Sequence, residues 1–125
     1  MELRVLVIND DPSTRTSFVS ALGDFECTVD CAASGREGLT MVGDGVYDLI
    51  YLDLNMPGLD GCSTLKGIRS IDRDVPVYMV TTFNDEYLYR LKEVVDAGVE
   101  FQVMLEPVGA DKIVAITEGV LYRGF

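Results

Sequence analysis

The chain has 125 residues, which fits one domain and leaves no room for a second core, and its 48% hydrophobic and 25% charged residues are the proportions of a folded globular protein. Ten Lys and Arg against 21 Asp and Glu give a formal charge of -11, a poor match for nucleic-acid phosphates or an anionic membrane surface and a better one for a basic partner. There is no His, which excludes Ser-His and Cys-His nucleophile pairs, a His-ligated zinc and an imidazole proton shuttle, so carboxylates must carry any chemistry.

Leu3 to Ile8 is an apolar run interrupted only by Arg4, the pattern of a strand buried on both faces of a parallel sheet, and Asn9, Asp10 and Asp11 end it. Pro12 opens a helix that Asp11 or Ser13 caps, with Phe18, Val19 and Leu22 at helical spacing before Gly23. Cys27 to Ala32 reads as a second strand, and Ser34 opens a helix with Leu39 and Val42 on one side, closed by Gly43 and Gly45. The third strand spans Tyr47 to Leu52 and is ended by Asp53, after which a run dense in turn residues cannot continue it. Leu65 and Ile68 mark a short helix, and Val75 to Val80 forms a fourth strand ended by Thr81 and Thr82. Asn84 or Asp85 caps a helix carrying Leu88, Leu91 and Val95, stopped by Gly98. Val99 to Leu105 is the fifth strand, broken by Glu106-Pro107, and Ile113, Ile116 and Val120 stripe the last helix. Strands alternating with helices predict an α/β fold, a doubly wound parallel sheet with helices on both faces.

Cys27, Cys31 and Cys62 are odd in number and form no CxxC pair, so reduced thiols in a cytosol are the plain reading. The start of the chain lacks the long apolar run of a signal peptide, and no stretch approaches the roughly 20 apolar residues of a membrane span. A cytoplasmic protein is expected.

In doubly wound sheets, sites form beyond the carboxyl ends of the strands. Those ends carry Asn9, Asp10 and Asp11, then Asp53, Thr81 and Glu106. If the first and third strands are neighbours, their ends lie about 5 Å apart, and two carboxylates about 4 Å apart repel by about 1 kcal/mol in water and more in a drier pocket. Either one carboxyl is protonated, or a hard, oxygen-preferring cation such as Mg2+ fills the gap. A metal so held would neutralise charge on a phosphoryl group while Asp53 attacks phosphorus and the Thr81 hydroxyl binds a phosphoryl oxygen. Blander readings stand beside this one: Asp10 and Asp11 as helix caps, Asp53 as a surface turn, Thr81 as an ordinary strand end. Asp53-Leu54-Asn55 lacks the second Asp of aspartate-nucleophile phosphatases, and an EF-hand counted from Asp53 puts Thr64 where a bidentate Glu belongs.

Val-Leu-Val-Ile-Asn-Asp-Asp-Pro at 5 to 12, the run from Asp48 through Asp53 and Met-Pro-Gly-Leu-Asp-Gly to Gly61, and Pro76-Val-Tyr-Met-Val-Thr-Thr82 together resemble the receiver domain of two-component response regulators. The likeness covers essentially all of residues 1 to 125. It implies a flavodoxin-like sheet in the order 2-1-3-4-5, Asp53 as phosphoacceptor, Asp10 and the Asn55 main-chain carbonyl as Mg2+ ligands beside Asp53, and Thr81 as the switch hydroxyl. It also implies a sensor histidine kinase or phosphotransfer protein as donor, and a downstream effector that reads the surface around the fourth helix, fifth strand and fifth helix. Such a receiver is not an enzyme beyond slow self-catalysed phosphoryl transfer. A homodimer through the last two helices is open to it.

Three departures from the family pattern matter. Asn9 stands where a second acid is usual, though its amide can still hydrogen-bond a metal-bound water. Glu106 replaces a Lys that donates to the phosphoryl group, and Val103 replaces an aromatic that rotates inward, unless Phe101 or Phe83 substitutes. With Asn9 and Glu106 together, the set 9, 10, 53 and 106 carries -3 where the family pattern carries -2, so a phosphoryl group meets repulsion unless Glu106 turns to solvent. Two readings follow: a phosphoacceptor on Asp53 with altered lifetime or switching, or a pseudo-receiver that binds its partner regardless of phosphorylation.

Overall fold

A computed structural model describes residues 3–81, 85–106 and 108–122, the side chains of 85–88 excepted. Strand and helix alternate throughout: β1 (Leu3–Ile8), α1 (Pro12–Ala21), β2 (Cys27–Ala32), α2 (Gly35–Asp44), β3 (Leu49–Asp53), α3 (Gly61–Ile71), β4 (Val77–Thr81), α4 (Asp85–Asp96), β5 (Gln102–Leu105) and α5 (Ala110–Leu121). All strand pairs are parallel in the order β2-β1-β3-β4-β5, the doubly wound topology expected. The apolar runs of β1 and β3 sit at the centre because both their faces are covered. Leu6, Ile8, Ile50 and Leu52 meet Val42 of α2, Leu65 and Ile68 of α3 and Leu91 and Val94 of α4. Val5, Val7, Leu49 and Tyr51 meet Phe18 and Leu22 at α1 and Ile113 and Leu121 of α5.

Among the described residues, three helices begin on side-chain caps: Asp11 accepts from Ser13 N at 3.2 Å, Ser34 from Glu37 N at 3.1 Å and Asp60 from Ser63 N at 2.8 Å. Each such cap is worth about 1 kcal/mol.

Several boundaries differ from the sequence expectation, each for a local reason. β3 starts at Leu49, not Tyr47, because the Asp48 carboxylate takes the Arg4 N–H at 2.8 Å, and it runs on to Asp53, opposite Val80. β4 covers Val77–Thr81, not Val75 to Val80, since Pro76 has no N–H for a ladder. β5 begins only at Gln102, because Val99 N turns back to Val94 O at 3.2 Å behind Gly98, whose φ is 75°. α2 continues through Gly43 to Asp44, and Gly45 alone ends it. Val19 and Val95 point to solvent, while Val94 is buried in the position given to Val95. In α5 the buried residues are Ile113, Thr117 and Leu121, with Ile116 and Val120 half-buried beside them. Thr82, Asn84, Pro107, and the side chains of Asp85 and Leu88 lie outside the described residues. Among the described residues no helix is long and apolar enough to cross a membrane.

Candidate functional site

The chemistry collects where β1, β3, β4 and β5 end. Asp53 is the last residue of β3, and the chain turns at once: Asn55 N donates to Asp53 Oδ1 at 3.1 Å, and Gly61 N to Leu54 O at 3.1 Å. The loop depends on two glycines. Gly58 has φ 74°, and a Cβ on Gly61 would lie 2.5 Å from Asp53 O and from Leu54 Cα. The turn-rich segment therefore folds back against the backbone of Asp53 and fixes it.

Asn9, only 3% exposed, follows β1, with its N–H on Ala32 O at 3.0 Å. Its Oδ1 accepts from Asp11 N at 2.9 Å, and its carbonyl from Arg15 Nη1 at 2.7 Å. Asp10 is exposed between them. Thr81, also 3% exposed, ends β4, and its carbonyl accepts Glu106 N at 2.7 Å, which sets Glu106 beside it.

These ends enclose a cleft of about 200 Å3 lined by Asn9, Asp11, Thr14, Asp53, Asn55, Thr81 and Glu106. Of the residues singled out from sequence, Asp53, Thr81, Glu106, Asn9 and Asn55 thus share one hollow. Asp10 does not line it, yet its carboxyl adds to the upward push on the ionisation of Asp53. Asp53 is pushed up to about 7, first by burial, against which the Asn55 N–H works, and then by the charges of Glu106 and Asp10. Glu106, though exposed, does not escape the site into solvent. Asp11 is both a strand-end acid and a helix cap in the sequence, whereas Thr14 carries no such mark there. Thr14 Oγ1 donates to Asp11 Oδ2 at 2.7 Å, and with Ser13 holds that carboxylate below its usual range. The available signal for Thr14 was its place three residues after the cap, in the first turn of α1.

Among the described residues no three Asp, Glu or Cys side chains gather into a ready metal cage. The oxygen groups around Asp53 include the Asp10 and Glu106 carboxylates, whose charges both act on it, and Asn55 lines the same cleft. Such hard, few oxygen ligands fit an ion like Mg2+ that keeps most of its waters, and the raised ionisation of Asp53 is a cost that a cation relieves.

A family model described as the response regulator receiver domain matches residues 5–118. The chain belongs to that family. Among its relatives, the response regulator MprA of Mycolicibacterium vanbaalenii is 31% identical over 123 residues, 98% of this chain and 52% of that protein. The chain therefore spans about half the length of that relative. The chemotaxis protein CheY4 of Vibrio cholerae has a solved structure matching with a TM-score of 0.81 at 28% identity, over 96% of this chain and 99% of the other. The CheY-like receiver domain protein of Methanospirillum hungatei, 23% identical, shares the fold with a TM-score of 0.83 over 96% and 94% of the two chains.

At β5, Val103 is 44% exposed and faces away from the interior. Phe101 does not fill the role: it precedes β5 and packs with the α2, α3 and α4 side of the core. Thr81 pairs with Leu105, four residues and about 13 Å further along. Phe83 lies outside the described residues.

Proposed function

We propose that this receiver accepts a phosphoryl group on Asp53 from the phosphohistidine of a sensor kinase or phosphotransfer protein, and thereby alters a protein-binding surface. The observation that carries this reading is the placement of Asp53 at the end of β3, in a polar cleft with Thr81 opposite and the Asp10 carboxyl within reach. One oxygen of Asp53 receives the Asn55 N–H, which orients the carboxylate; an Asp53 oxygen forms the new bond to phosphorus as the bond to the donor imidazole nitrogen breaks, and the imidazole is left neutral once its protons re-equilibrate with solvent. Asp10, Asp53 and the Asn55 carbonyl would hold Mg2+, and Asn9 would reach a water on it; when bound, the ion offsets negative charge on the transferring group. Thr81 supplies a hydroxyl for a phosphoryl oxygen at the end of β4. Exposed Tyr89, Val95, Val103 and Leu105 on α4 and β5 provide apolar area for an effector.

Glu106 makes the site unusual, since it contributes a negative charge at a position where the family has a cation. A phosphorylated state of altered lifetime, or weak coupling to β5, follows from that charge and from the outward Val103. The test is intact-mass measurement after treatment with acetyl phosphate and Mg2+, and with a kinase of the phosphohistidine type. A phosphoryl mass on wild type that is absent from Asp53→Asn is expected. No gain with any donor, together with partner binding indifferent to Asp53→Asn, would leave the constitutive module reading.

A further inference from the structure

The cleft at Asp53 does not close at Glu106. A second hollow of about 230 Å3 continues from it between α1 and α5 and shares Thr14 and Glu106 with it. Its floor is apolar, made by Phe18 and Ile113, each 1% exposed, and half-buried Val108, and Ser17 completes the α1 side. Among the described residues no Lys or Arg lines either hollow. Lys112 of α5 directs its Nζ to Leu105 O at 3.4 Å. The result is a groove with an apolar floor and a carboxylate at its head.

The side chain complementary to such a groove is that of Lys or Arg, which lays an apolar stem along a surface and keeps a cation at its tip. A protein reaching Asp53 must enter the first hollow, and its neighbouring side chains then cover the second, because Thr14 and Glu106 belong to both. Resting on the phosphoacceptor reading for the identity of that protein, we propose that the groove takes a Lys or Arg of the phosphoryl donor, its stem over Phe18, Val108 and Ile113 and its cation between Glu106 and the phosphoryl position at Asp53. The donor thus returns in trans the charge that Glu106 removes in cis. A cation placed there turns the meeting of phosphoryl group and carboxylate from repulsion into a bridged contact. The chain's formal charge of -11 favours a basic donor.

Isotope-labelled, unphosphorylated protein titrated with N-acetyl-arginine amide and N-acetyl-lysine amide tests this by NMR. Binding is expected to be weak and saturable, to move the amides of Thr14, Glu106, Val108 and Ile113, and to fall roughly tenfold in Glu106→Gln while Asp24→Asn, an acid outside both hollows, binds as wild type. Equal shifts with neutral N-acetyl-norleucine amide, or affinity unchanged in Glu106→Gln, would overturn the proposal. So would spermidine saturating the same amides at lower concentration, which marks a free polyamine as the occupant, or shifts that track protein concentration alone, which marks a second copy of the chain. The readout needs no phosphorylation, so failure here leaves the Asp53 reading intact, and failure of Asp53 to accept phosphorus is seen separately by mass.

Discussion

Asp53 ionises near 7 in the folded protein against 3.8 for an ordinary Asp, because burial and its acidic neighbours disfavour the charged form. Between these values the folded state holds a proton that the unfolded chain has released. The stability tied to neutral Asp53 is therefore complete below about pH 4 and is lost as the pH rises through about 7. In EDTA, Asp53→Asn is expected to gain on wild type between about pH 5 and about pH 8, by about 1–3 kcal/mol in urea unfolding, and Mg2+ should narrow the gap. At position 106 the same electrostatics gives a second expectation: Glu106→Lys should tighten capture of beryllofluoride roughly tenfold or more, measured by titration, since a charge-assisted hydrogen bond is worth about 1.5–3 kcal/mol. Unchanged capture would place residue 106 outside the site. Asp53, Thr81 and Glu106 could be picked from sequence because each is a polar residue that ends an apolar strand. Thr14 carried only its place in the first helical turn, a context that a hydroxyl has whether it faces a site or water.

Elements hold these residues in place through a few contacts between the sheet and the helices on one face. Tyr51, two residues before Asp53 and 1% exposed, meets Thr117 Oγ1 of α5 at 2.6 Å and packs on Phe18 of α1 with ring centres 4.8 Å apart. Burial pushes its hydroxyl up to about 12, so it stays a neutral hydrogen-bonding group at any working pH. Tyr51→Phe leaves Thr117 without that partner in the core and should cost about 1–2 kcal/mol by urea denaturation. Gly61→Ala forces a methyl against Asp53 O and Leu54 Cα, and is expected to cost about 1–3 kcal/mol and to slow phosphorylation of Asp53 by displacing it. A Gly61→Ala variant as stable and as reactive as wild type would show that the loop does not fix the acceptor. Element type and order followed from hydrophobic periodicity, whereas their ends did not. Asp48 capturing Arg4 N and Val99 folding back on α4 are long-range or cap interactions that shift a boundary without altering the apolar pattern.

At the scale of the whole molecule, the order β2-β1-β3-β4-β5 brings four strand ends to one rim and so gathers acids from distant parts of the chain. That order followed from the resemblance alone; the crossover rule gave a parallel sheet covered on both faces, and the apolar pattern left the neighbours of each strand open. A formal charge of -11 on one small domain also opposes compaction, and salt should relieve it. Raising NaCl to about 0.5 M is expected to raise Tm by a few degrees, a gain of about 1 kcal/mol, and a fall would contradict the picture of net self-repulsion. If the rim acids make Asp53 a metal-assisted phosphoacceptor, phosphorylation needs both that carboxyl and a divalent ion. Intact-mass spectrometry after acetyl phosphate treatment, run with Mg2+ and with EDTA on wild type and Asp53→Asn, addresses it most directly. A phosphoryl gain confined to wild type in Mg2+ is the predicted result, and a gain that survives in Asp53→Asn or in EDTA would contradict it.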